Sequence, residues 1–324
     1  MTEWTLSRAL NEALRDALRA DDRLLVFGED VGVSGGVFRV TDGLQEEFGD
    51  RRVFDTPISE AAIVGSAVGL AFAGWRPVLE LQFDAFSYPA LEQIIDHAAK
   101  MRMRTRGRVD MPITIRIASF GGIKGKEHHG ESPETYYAHT AGLKVVVPST
   151  PLDGYALLRH AIADPDPVVV LEPKARYWSK EEGDLTTGAP GIGAGRVLRD
   201  GGDVTLVAYG SMVARILDAA AQLSDAGIEA RVVDLRSLSP LDDDLLRRCA
   251  EETGRIVVVH EAPRHVGFGA EVAARAMELA FDSLAAPIAR VTGWDAPYPP
   301  ASLEDGYLPS IDRIVAVTKE TVAY

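Results

Sequence analysis

The stretch Lys144-Val-Val-Val-Pro-Ser-Thr-Pro-Leu-Asp-Gly-Tyr-Ala-Leu-Leu-Arg-His-Ala-Ile-Ala-Asp-Pro-Asp-Pro-Val-Val-Val-Leu171 decides the fold class. Its two β-branched runs, Lys144–Val147 and Pro167–Leu171, read as short buried strands. Leu152–Ala163 between them reads as a helix. A strand, a helix and a second strand make the crossover unit that parallel sheets require.

The same alternation extends outward in both directions. Upstream, Pro112–Ala118 is a strand that runs into a polar, glycine-rich loop, Gly121 to Pro133. Before it come a helix from Tyr88 to Met103, a strand at Val78–Phe83 and a Gly/Ala/Ser-rich helix from Ala61 to Ala73. Leu24–Phe27 is a strand ending at Gly28. Leu6, Ala9, Leu10, Ala13, Leu14, Ala17 and Leu18 recur at helical spacing, with Thr5 or Ser7 as N-cap. Downstream, Tyr177 to Gly195 is polar and rich in glycine and proline, and reads as a linker. Strands at Val204–Tyr209, Ala230–Leu235, Ile256–His260 and Ile288–Val291 then alternate with helices at Met212–Asp225, Leu241–Glu252 and Ala270–Ala280. The expectation is an α/β protein of two parallel-sheet domains, residues 1–185 and 201–324, joined by a linker at 186–200.

A length of 324 residues suits about two domains. The formal charge of −14 speaks against a nucleic-acid binder or an anionic-membrane anchor, both of which need basic surface. A single cysteine, Cys249, excludes an intrachain disulfide and any multi-cysteine metal site. No apolar run has the length of a membrane span, and the opening residues lack the features of a signal or transit peptide. The reading is a cytoplasmic protein.

No phosphate-loop motif occurs, and Gly267-Phe-Gly269 fails as a dinucleotide fingerprint because Val272 stands where a third glycine belongs. Four segments carry chemistry instead: Gly28-Glu-Asp-Val-Gly32, Asp55-Thr-Pro-Ile-Ser-Glu60, Gln82-Phe-Asp-Ala-Phe86 and His128-His-Gly-Glu-Ser-Pro-Glu134. Three of them lie where a strand ends or a helix begins, the positions at which α/β sheets gather ligands. Each has a plain structural reading as well. Glu60 can serve the first turn of a helix, Phe86 can be core, and Glu29 can simply end a strand. His128 and His129 suggest a metal, but adjacent side chains in an extended stretch point to opposite faces.

Together with Gly35-Gly-Val-Phe-Arg-Val-Thr-Asp-Gly-Leu44, Arg52-Val-Phe-Asp-Thr-Pro-Ile-Ser-Glu60 and Ala141-Gly-Leu-Lys-Val-Val-Val-Pro-Ser149, these segments resemble one family from about residue 4 to the C-terminus. It is the beta subunit of the thiamine-diphosphate-dependent 2-oxo acid dehydrogenase. The resemblance implies a thiamine pyrimidine-binding domain followed by a transketolase C-terminal-like domain. It also implies that thiamine diphosphate lies between this chain and an alpha subunit, which holds the diphosphate and Mg²⁺ through a Gly-Asp-Gly motif that this chain lacks.

By the same matching, Glu60 hydrogen-bonds a ring nitrogen of the aminopyrimidine and promotes loss of the thiazolium proton. Burial against Ile58 and Phe86 would have to outweigh the helix N-terminus, which favours the anion. Glu29, Ile58, Gln82 and Phe86 line the aminopyrimidine, with Phe86 stacked on its ring. The family's His-Ser-Gln-Ser loop falls on His129-Gly130-Glu131-Ser132, and its histidine serves acyl transfer. Glu131, if close, should raise the imidazole pKa; the alternative is that it points to solvent or to a partner chain, with Gly130 merely giving the loop freedom. A structural K⁺ on the backbone carbonyls of Met111, Ile113, Thr114, Ala161, Asp164 and Asp166 is also implied; a plain turn at Asp164-Pro-Asp-Pro167 is the other reading.

The resulting expectation is an enzyme subunit active only with its alpha subunit, in a tetramer of two alpha and two beta chains. It would decarboxylate a 2-oxo acid oxidatively and acylate a lipoyl group on an acyltransferase core. Glu172-Pro-Lys and Tyr177-Trp178 resemble the branched-chain members of the family more than the pyruvate or acetoin ones, which implies a branched-chain substrate; pyruvate or acetoin dehydrogenation is the alternative. A non-catalytic interaction subunit of the same fold is the rival from another class.

Overall fold

The computed structural model describes residues 2–126 and 128–324. Among them a seven-stranded sheet forms the first layer system. Its spatial order is Ser237–Ser239, Lys144–Val146, Val168–Pro173, Thr114–Ser119, Arg76–Leu81, Leu24–Gly28 and Val53–Asp55. All neighbours are parallel except the first pair. A five-stranded sheet follows, ordered Ala289–Gly293, Ile256–Pro263, Val204–Ala208, Ala230–Asp234 and Arg196–Arg199, the last strand antiparallel.

Helices cover the sheets because their apolar residues fall on one face. Leu6–Ala20 buries the stripe read from the sequence and is capped by Thr5, whose hydroxyl accepts from Arg8 N–H. It packs on Pro151–Ala163, where a Cβ at Gly154 would come within 2.3 Å of Leu6, so glycine sets the approach of the two helices. Each leucine so buried contributes about 1.5–3 kcal/mol.

The structure departs from the sequence reading in three places. Tyr88–Met103 is not one helix but a 3₁₀ turn at Ala85–Ala90, a π turn at Gln93–Ala98 and a short α-helix at Met101–Arg104. Pro89 has no N–H to give a regular helix, and Asp84 holds the start of the segment by accepting from Ala85 N–H at 2.9 Å. The polar stretch Tyr177–Gly195 contains Lys180–Gly183, paired antiparallel with Thr2–Thr5, and the linker placed at 186–200 contains Arg196–Arg199, an edge strand of the second sheet. Ser237–Ser239 leaves its own half of the chain to extend the first sheet beside Lys144–Val146.

Buried polar contacts also tie the halves. Ser149 donates to the Asp234 carboxylate, Arg236 lies 3.1 Å from Asp153, and Tyr209 O–H donates to Glu134 at 2.6 Å. Within the first sheet Arg116, 1% exposed, spans three strands. It grips Glu172 through two bonds of 2.7 and 2.8 Å and reaches Glu80 at 2.6 Å. Tyr177 O–H adds a bond of 2.7 Å to Glu172. Glu172 and Tyr177, read above as marks of substrate type, thus belong to a buried structural network.

Candidate active site

The four chemical segments converge at the carboxyl ends of adjacent parallel strands. Glu29 follows Leu24–Gly28, Gln82 follows Arg76–Leu81, and the histidine loop follows Thr114–Ser119. Glu60 opens the helix Glu60–Phe72, entered from Val53–Asp55. This is where a doubly wound sheet leaves an open crevice for ligands.

Glu29 is 8% exposed, and its Oε1 has no hydrogen-bond partner among the described residues. Burial, then the nearby charges of Glu60 and Asp30, push its carboxyl above the usual range, opposed by the Ser59 N–H. The Glu60 carboxylate is thus near enough for its charge to act on the buried Glu29 carboxyl. Gln82 fixes the wall beside them, donating to Asp30 at 2.9 Å and to the Glu29 carbonyl at 3.4 Å. The strand end must be glycine, since a Cβ at Gly28 would sit 2.4 Å from the Glu80 carbonyl oxygen.

Phe86 and His129 meet edge to face at 5.3 Å, and Phe83 lies 5.6 Å from Phe86 and 4.3 Å from His129. Underneath, Asp84 and Lys174 form a wholly buried ion pair. Burial pushes the carboxyl up and the ammonium down, each opposed by the other's charge. Lys174 also donates to the Ala118 carbonyl at 3.3 Å, so strand, 3₁₀ turn and aromatic cluster are fixed together.

Several expectations need correction. Ile58 is 85% exposed, so it does not bury Glu60, which is half-buried; the extended segment before the helix turns Ile58 outward. His128 has φ 56°, not an extended conformation, which brings the two imidazoles within 4.8 Å on one side of the loop. Glu131 has its carboxyl pushed up by burial and then by Asp84, against weaker opposition from His128 and Lys174. It lines a cavity of about 210 Å³ with Tyr88, Tyr136 and Tyr298, so its surroundings are not those of a simple partner for His129. Gly130 supplies space, not freedom, because a Cβ there would lie 2.3 Å from the Tyr298 ring.

The carbonyls matched to a K⁺ site come from two segments joined by Met111 N–H to the Pro165 carbonyl at 2.9 Å. Those of Met111, Ile113 and Ala161 each accept one backbone N–H, which leaves each a second lone pair. Lys144 holds Asp164 at 2.7 Å and Asp166 at 3.3 Å, so the turn's carboxylates already have a cation.

Sequence reasoning passes over Phe83, Asp84 and Lys174 as functional residues. Phe83 and Asp84 lie inside a quoted motif, and their spacing to Phe86 is the available signal. Lys174 becomes relevant only through a contact 90 residues away in sequence.

Residues 2–179 match the transketolase pyrimidine-binding domain and residues 193–314 the transketolase C-terminal domain. The chain is 57% identical over 314 residues to the 3-methyl-2-oxobutanoate dehydrogenase subunit beta of Mycobacterium tuberculosis, covering 96% of this chain and 90% of that one. It is 52% identical over 317 residues to a pyruvate dehydrogenase E1 component subunit beta of Leifsonia xyli, covering 98% and 94%. A solved split-gene transketolase, described as an inactive beta4 tetramer, superposes with a TM-score of 0.81 at 25% identity over 98% of each chain. An orphaned buried carboxyl oxygen, a second carboxyl, an amide and an aromatic face suit the aminopyrimidine half of thiamine diphosphate. With both domain types in order and relatives of this identity along its length, the chain belongs to the beta subunits of thiamine-dependent 2-oxo acid dehydrogenases.

Proposed function

We propose that this chain is the beta half of a branched-chain 2-oxo acid decarboxylase, active only when an alpha subunit completes each cofactor site in a tetramer of two alpha and two beta chains. The observation that carries the reading is the pair Glu29 and Glu60, with Glu29 Oε1 buried and unpartnered at the strand ends. Thiamine diphosphate, when bound, supplies the nucleophilic carbon and the electron sink, while Mg²⁺ and the diphosphate belong to the alpha chain.

On this reading Glu60 shares a proton with a ring nitrogen of the cofactor, and Glu29, Gln82, Ile58 and Phe86 seat the ring. A carboxyl suits the role because it can both accept and give back a proton at a hydrogen-bonded ring nitrogen. His129, held against Phe83 and Phe86, orients the acyl group or supplies the proton taken up by the lipoyl sulfur released when the disulfide is opened. The branched-chain assignment is supported by the name of the 57% identical relative.

The deciding experiment measures CO₂ release and lipoyl acylation by the chain alone and co-expressed with an alpha chain. Activity is expected only in the pair, with kcat/KM about 10-fold or more higher for 3-methyl-2-oxobutanoate than for pyruvate. Turnover by the beta chain alone would remove the shared site, and a preference for pyruvate would return the alternative substrate.

The K⁺ assignment to Met111, Ile113, Thr114, Ala161, Asp164 and Asp166 is part of the same proposal. A higher Tm in K⁺ than in tetramethylammonium at equal ionic strength is the expected result, since a bound cation stabilises only the folded state. Identical Tm values would leave the segment as a turn closed by Lys144.

A further inference from the structure

The loop carrying the histidines belongs to the first half of the chain, yet carboxylates of the second half hold its first residues. Glu304, 2% exposed, accepts Gly122 N–H at 3.0 Å and Lys124 N–H at 3.0 and 3.2 Å. Its Oε1 also accepts Tyr298 O–H at 2.6 Å. Glu261, equally buried, accepts Gly121 N–H at 2.8 Å. The Tyr298 ring is wedged between the two ends of the loop, because a Cβ at Gly121 would lie 2.0 Å from its hydroxyl and one at Gly130 2.3 Å from its ring. Phe120, Lys124 and His128 all have positive φ, conformations that non-glycine residues keep only where the surroundings over-determine them.

We propose that Glu304, backed by Tyr298, is the positioning residue that fixes this loop and thereby sets His129 against Phe83 and Phe86. A carboxylate suits this role because it accepts several donors at once, and charge-assisted bonds to amides are stronger than neutral ones. Glutamine in its place keeps the shape but offers one acceptor oxygen and an amide that repels the N–H groups. The proposal rests on the decarboxylase reading only for the role of His129. The clamp itself is independent of it.

The experiment uses the co-expressed alpha–beta complex carrying Glu304→Gln or Glu304→Ala. Amide hydrogen exchange over residues 119–126 is expected to rise about 10-fold or more, while exchange in the sheet strands stays unchanged. The kcat for lipoyl acylation should fall about 10- to 100-fold with the KM for the 2-oxo acid within about twofold, the pattern of a misplaced group and not of a lost binding contact. Unchanged exchange in the loop would overturn the clamp, and faster exchange with unchanged kcat would overturn its positioning role. If the alanine variant fails to fold, the near-isosteric glutamine variant decides. A wild-type complex inactive on every 2-oxo acid would refute the function proposed above, while the exchange measurement would still decide the clamp.

Discussion

A Glu60→Gln complex is expected to turn over about 100-fold or more slowly than wild type with its assembly intact. The amide keeps the volume and one acceptor at the helix start, so the fold has little reason to change. What is lost, on the function proposed above, is a group that can give and take a proton next to the cofactor ring. Glu29 provides an internal reporter, because its carboxyl is pushed up partly by the Glu60 charge. Removing that charge lets Glu29 titrate closer to its ordinary range, which moves the pH–rate profile as well as its height. The measurements are kcat, sedimentation of the complex and the pH profile. Near-normal turnover would confine Glu60 to stabilising the first turn of its helix.

Arg116→Met is expected to cost about 3–5 kcal/mol of stability, because it leaves two buried carboxylates without their cation. In the wild type Glu172 takes two guanidinium bonds and the Tyr177 hydroxyl, whereas burial keeps Glu80 above the usual carboxylate range. The sign of the pH effect follows. Without the arginine, Glu80, already pushed up by burial, loses the charge that opposes that push, so its folded pKa lies further above the unfolded one. Its contribution is then present below the unfolded pKa and lost as pH rises through the raised value. The variant should therefore lose most stability relative to wild type near neutral pH, and the deficit should narrow toward pH 5. Denaturant melts at both pH values check it; a pH-independent deficit would mean that the variant loses packing alone.

The sheet core is legible in the sequence because buried strands and crossover helices leave clear periodicities, as at Lys144–Leu171. Glu29, Gln82 and Glu60 are legible for the same reason, since strand ends and helix starts can be read from those periodicities. The short strands Thr2–Thr5, Lys180–Gly183 and Ser237–Ser239 are not, because three or four residues carry no pattern of their own and exist only through a distant partner. Ile58 misleads because an apolar residue is expected to find its cover within its own chain. The clamp on the histidine loop is silent in sequence because Tyr298 and Glu304 lie some 170 residues from the loop, and nothing local marks a carboxylate that will accept distant amides. The glycine at 130 suggests flexibility when read alone, whereas its cause is the Tyr298 ring.

The strand Ser237–Ser239 also sets an order of events during synthesis. The edge of the first sheet at Lys144–Val146 emerges from the ribosome about 90 residues before the segment that covers it, so the nascent sheet waits with open N–H and C=O groups. A chain halted after residue 185 keeps that edge bare, and the proper folding unit is the whole chain. The two halves are tandem in sequence, yet a gene split between them would have to bring its products together before the first sheet gained its edge strand.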